Sequence, residues 1–156
     1  MDPITNFFAS LFEWFGINPL YSKDLGEHLR GYDITCTDYI GTHWYSIIGI
    51  SMIAISVLCY VLQYHILDKF RFNRCKNWWI FVIILFALNF FIGFVIPYNA
   101  IQSGDYCQQL IISTTDCIGF GLSNAIWSFL AYVILTSFKY PRNLANNCRY
   151  TTFWKP

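Results

Sequence analysis

Residues 77–97 read NWWIFVIILFALNFFIGFVIP and carry no charged side chain. As a helix the stretch would be about 30 Å long, enough to cross the hydrocarbon core of a bilayer. Before it stands KFRFNRCK, with Lys69, Arg71, Arg74 and Lys76, and after it YNAIQSGDYCQQ, with no base. One such segment sets the class of the chain, an all-α polytopic membrane protein.

The composition agrees. Of the 156 residues 56% are hydrophobic and only 12% charged, against about a quarter charged in soluble domains. Aromatics make up 21%, as expected where several helix ends meet the headgroup layer. The length leaves room for three or four spans in a single membrane domain, residues 1–156. A net charge of +1 excludes a nucleic-acid surface as a reading. Asp2 stands where a signal peptide would be basic, so no cleaved leader is expected.

Working outward, a first span is expected over 42–67. At about 26 residues it has to tilt or project. The short turn 68–77 makes it an antiparallel hairpin with the second span, 78–98, which Trp78, Trp79, Pro97 and Tyr98 bracket. A loop, 99–116, leads to the third span, 117–138, and a tail, 139–156. At the amino end, 2–17 (DPITNFFASLFEWFGI) reads as a helix begun by Asp2 and Pro3 and stopped at Gly16 and Pro19. It is too short to span, so an amphipathic helix in the interface is expected, with a re-entrant segment as the alternative. Residues 18–41 form a polar loop with a short helix around Lys23 to Arg30.

Charge predicts the orientation. The turn and tail hold eight bases, including Lys139, Arg142 and Arg149, and one acid; the other extramembrane segments hold two bases and eight acids. By the positive-inside rule the turn and tail are cytoplasmic and the amino terminus lies outside, in a plasma or inner membrane. Cys36, Cys107 and Cys117 then lie outside or at the outer boundary. Cys107 with Cys117, or Cys36 with the second loop, are the pairings open to them, and reduced thiols are equally compatible.

Small and polar residues mark the helix faces that meet protein or water. In the first span Thr42, Ser46, Gly49, Ile53, Ser56, Tyr60 and Gln63 follow at spacings of four and three, and all but Ile53 are small or polar. The third span repeats the pattern with Cys117, Gly121, Asn124, Ser128 and Ala131, and the second adds Asn89 and Gly93. These stripes are either packing seams or the lining of a pore built from several copies. Outside, Asp24, Glu27, Asp33, Asp38, Asp105 and Asp116 form an acidic face that would favour cations at a pore mouth.

Signals for an enzyme are weak. His28, His43 and His65 are scattered, His28, Cys36, His43 and Asp33 match no standard zinc spacing, and no acid or base lies inside a span. No cofactor is expected. The layout is similar to that of many small multi-pass proteins that form oligomeric channels or disrupt membranes, an architectural likeness that transfers no residue. The first reading is therefore a homo-oligomeric channel or pore. The alternative is a non-conducting structural or regulatory subunit that recruits a cytoplasmic protein.

Overall fold

The computed structural model describes residues 3–17, 20–63 and 75–137. The expected basic face at Lys69, Arg71, Arg74, Lys139, Arg142 and Arg149, with the side chain of Lys76, lies outside them. Among the described residues all regular structure is helical: α1 (Pro3–Phe12), α2 (Lys23–Leu29), α3 (Trp44–Val61), α4 (Cys75–Ser103) and α5 (Thr114–Ser137). Three of these, α3, α4 and α5, are long and apolar enough to cross a membrane. The protein is a small multi-pass membrane protein, and its outward apolar faces meet lipid.

The second span outruns its expected end. The sequence places a boundary at Pro97, yet α4 continues to Ser103 with Pro97 inside it. Proline removes one backbone donor and crowds the preceding turn, but other helices flank the membrane segment and hold it. The helix ends only at Gly104, whose φ of 75° suits glycine.

α4 and α5 pack along small residues. A side chain on Gly121 would meet the Phe90 carbonyl oxygen of α4 at 2.9 Å, and one on Gly93 would meet the Gly121 Cα at 3.0 Å. Bare backbones therefore touch, which is how membrane helices gain van der Waals contact where lipid is as apolar as leucine.

α1 is shorter than its sequence suggests. It ends at Phe12, and the chain reverses through Trp14 (φ 50°), Phe15 (φ 57°) and Gly16 (φ 94°). A left-handed conformation costs a non-glycine residue about 1–2 kcal/mol. The Trp14 indole is held in return: its N–H donates to Ser123 Oγ at 3.1 Å and its ring lies 5.3 Å from that of Trp127. Thr5, Phe8, Ala9 and Phe12 of α1 are buried, with Phe8 packed over Gly49 and Phe12 against Tyr45 and Phe120. Ile4 and Phe7 on the opposite side stay exposed. The helix thus docks one face on α3 and α5 and leaves an apolar face outward.

α2 and its flanking loops form a cap over the end of the bundle where α3 and α5 begin. Ser22 caps α2 by accepting from the Leu25 N–H, and Leu25 and Leu29 are buried in the core beneath. The cap is fastened at several points. Ser113 and Asp116 form a reciprocal capping box at the start of α5, and Asp116 Oδ1 also accepts from the Ser22 N–H at 2.9 Å. Arg30 forks onto Glu13 at 2.6 Å, and Tyr45 hydroxyl donates to the same carboxylate. Cys36 and Cys107 are joined, with their Cα atoms 5.4 Å apart. Of the pairings open in the sequence this is the second; Cys117 is a buried free thiol.

Candidate functional site

Both groups of residues that the sequence singles out, the intramembrane stripes and the acidic face, are spread over sites with different chemistry. The stripes turn inward. Along the first-span stripe, in and beside α3, Gly49, Ser56 and Gln63 are buried, Ser46 and Tyr60 are half-buried, and Ile53 and Thr42 are exposed. In α4 and α5, Asn89, Gly93, Gly121, Asn124 and Ser128 are buried and Ala131 is half-buried. Ser46 shares a hydrogen bond with Thr5 of α1 at 2.7 Å, and Gln63 accepts one from Tyr132.

The hydroxyls of Ser56 and Ser128 donate back to carbonyls of their own helices, Met52 and Ala125. Such bonds keep a polar group in lipid surroundings without a partner from another helix. Asn124 is different. Its Nδ2 donates across to the Asn89 carbonyl of α4 at 2.7 Å, while Asn89 Nδ2 donates to Leu85. The side-chain oxygens of both asparagines are buried without a partner.

The acidic face divides. Asp24 accepts from the Ile111 N–H, Glu27 from the Tyr39 hydroxyl, and Asp116 from Ser22 and Ser113. These three carboxylates fasten the cap. The hydrogen bond and the Glu27 charge raise the Tyr39 hydroxyl to about 12. Asp38 is an exposed loop residue. The remaining two, Asp33 and Asp105, line a cavity of about 510 Å³ between the cap and the ends of α3 and α4.

This cavity is assembled from three parts of the chain. The cap supplies His28, Tyr32 and Asp33; the start of α3 supplies Thr42 and Trp44; the end of α4 and the loop beyond supply Asn99, Ser103 and Asp105. Its shape depends on Gly31, at φ 96°, where a side chain would strike the Gly41 carbonyl and the His43 ring. The Gly41 N–H donates to Gly31 and the His43 Nδ1 contacts the Arg30 carbonyl at 2.8 Å, closing the loop that forms one wall. Asp33 accepts from Thr35 Oγ1 and from the Ile34 N–H, and these bonds hold its carboxyl below the usual range.

His28 is the unusual member. It is 5% exposed, and neither ring nitrogen has a hydrogen-bond partner. Its ring lies nearly perpendicular to that of Tyr106, centroids 6.3 Å apart. Burial lowers its pKa from the usual histidine value, which favours the neutral ring. A buried polar group left unpaired costs about 1–3 kcal/mol.

The sequence set Asp33 and Asp105 in a common acidic face and His28 beside Asp33 in a spacing that fits no zinc site, but gave no sign of a cavity shared by the three; Asp33 and Asp105 lie far apart along the chain, on loops that the disulfide joins. No protein-family model matches the chain, and no curated protein and no solved structure matches it at a significant level.

Proposed function

We propose that the chain is a non-conducting membrane subunit, holding a folded cap at one membrane face and presenting its basic turn and tail to a protein partner at the other. The observation that carries this reading is the burial of polar groups inside a single copy: Ser56, Asn89, Asn124 and Ser128 are all 0% exposed. A pore between copies would have to be lined by what is left outside. Among the described residues the large exposed side chains there are apolar, including Ile50, Val57 and Val61 on α3 and Ile83, Leu88 and Phe91 on α4. Walls of carbon dewet and block ions.

The Cys36–Cys107 bond supports placing the cap in an oxidising compartment. The charge asymmetry of the sequence points the same way, with segments 68–77 and 139–156 on the cytoplasmic side of a plasma or inner membrane. Their seven bases in the turn and tail ahead of Lys155 would also attract anionic lipid at about 1 kcal/mol each.

The test is ion flux through liposomes holding the purified protein, with oligomer mass measured on the same sample. No flux is expected, whatever the oligomer. Flux that Asn124→Leu and Ser56→Leu abolish would establish the homo-oligomeric pore instead. Flux that survives both substitutions would also end the non-conducting reading and would move the conduction path away from the seams.

A further inference from the structure

We propose that α2 is an acid-released flap: protonation of His28 lifts the helix from the bundle and uncovers the apolar core beneath it, while the Cys36–Cys107 bond keeps the cap attached. The proposal is independent of whether the bundle conducts.

The switch rests on where His28 sits. It belongs to the face of α2 that turns inward with Leu25 and Leu29, and both of its ring nitrogens are closed off from solvent without a hydrogen-bond partner. A neutral imidazole has one donor and one acceptor to satisfy, whereas an imidazolium carries two donors and a charge. The closed structure satisfies neither form, and the charged one costs far more to bury. Around the ring, the loop after α2 brings Tyr32 and Asp33, and the loop after α4 brings Asp105 and Tyr106. To the same region α3 and α4 bring Trp44, Ile96 and Asn99, none of which titrates. On α2 itself Asp24, Glu27 and Arg30 are engaged by Ile111, Tyr39 and Glu13. None of these carboxylates bonds a His28 nitrogen, so the charge is solvated only when α2 moves.

The helix is also suited to leave. Its seven residues are too few to stay helical alone in water, so it is folded only while Leu25 and Leu29 share a core with Tyr21, Tyr45 and Phe120. The contacts at its ends are recoverable. The bond from Ser22 to Asp116 is part-buried, and the side chains of Arg30 and Glu13 are 28% and 18% exposed; a partly exposed ion pair contributes little. When α2 lifts, Cys36 still holds the loop behind it to Cys107, so the flap closes again as the pH rises. The open state presents the leucine and aromatic surface now hidden under the cap.

Amide hydrogen exchange of the full chain in phosphatidylcholine nanodiscs, whose headgroups do not titrate in this range, reads the opening. A closed state that admits only the neutral ring, set against an open one with the ordinary pKa of about 6.5, predicts about a tenfold rise in the open fraction from about pH 7.5 to 5.5. Exchange at residues 26–30, corrected for the intrinsic effect of pH, is expected to accelerate by that factor and to recover when the pH is restored. The middle of α4 around Leu85 and Asn89, both buried, should stay protected. His28→Phe, which keeps a ring of similar size, and His28→Leu should each reduce the change to less than about twofold, with melting curves verifying folding. His43→Gln, at the histidine that contacts the Arg30 carbonyl, should leave the change intact. Parent exchange that ignores pH would overturn the proposal. So would an acceleration that persists in the folded His28 variants, one that disappears in His43→Gln, or an equal acceleration around Leu85.

Discussion

Replacing Cys36 or Cys107 with serine removes the covalent tie between the cap and the loop after α4, and the size of the effect follows from the architecture. The two cysteines are 71 residues apart. For a fully flexible chain a loop of that length would be worth about 4 kcal/mol of unfolded-state entropy. Most of it is not flexible, however. Between the cysteines lie α3 and α4, which remain helical and inserted when tertiary contacts are lost in a bilayer or micelle. The effective loop is therefore far shorter than the full separation, and for one of about 15 residues the same relation gives about 3 kcal/mol. We therefore expect Cys36→Ser, Cys107→Ser and the double variant to lose about 3 kcal/mol each in reversible unfolding by SDS in mixed micelles. The three losses should agree within about 0.5 kcal/mol, since all remove the same bond. Cys117→Ser should leave the bond intact, because Cys117 is unpaired. Losses that add in the double variant, or a loss below about 0.5 kcal/mol in the singles, would refute the pairing or the entropy argument. Peptide mapping of the non-reduced protein identifies which.

Two further tests address other parts of the fold. Gly49→Ala places a methyl group inside the ring of Phe8, so α1 must shift or detach, at an expected cost of about 1–3 kcal/mol. Proteolysis within residues 1–17 should accelerate in step, and a variant as stable and as resistant as the parent would show that α1 does not dock there. His28 gives a pH signature, since its folded pKa is lowered by burial while Asp33, Asp105 and Tyr106 are its neighbours on the cavity side. As pH falls through about 6.5 the unfolded state takes up a proton that the folded state refuses. Stability is therefore full above that pH and declines below it, until the folded ring also protonates. Melting temperature followed from pH 7.5 to 5 should show this decline in the parent and less of it in His28→Phe; parallel curves would remove His28 as the cause.

How much of this was readable beforehand depends on the residue. The three spans were, because an uncharged run such as 77–97 has few fates in water. The short helix around Lys23 to Arg30 was also readable, although its Ser22 cap was not. Pro97 misled: proline reads as a terminator, but the helix passes through it where neighbouring helices replace water as surroundings. The break after Phe12 was hidden because Trp14 and Phe15 have no intrinsic taste for left-handed backbone, and only the Ser123 and Trp127 contacts reveal the reason. The seams were visible as spacing, but spacing does not say whether a stripe faces its own bundle or another copy. The cavity was invisible, since it rests on which cysteines pair, and three outer cysteines permit more than one answer.

Docking of α1 has a geometric consequence. Its contacts include Tyr45, Ser46 and Gly49 of α3 and Phe120 and Ser123 of α5, all in the half of the bundle nearest the cap. That half is four helices wide and the other half three. The ten residues of α1 therefore add width to one leaflet's half of the bundle more than to the other's. A helix docked on one half of the bundle asks more room of one leaflet than of the other, a demand that vesicles of different curvature meet to different degrees.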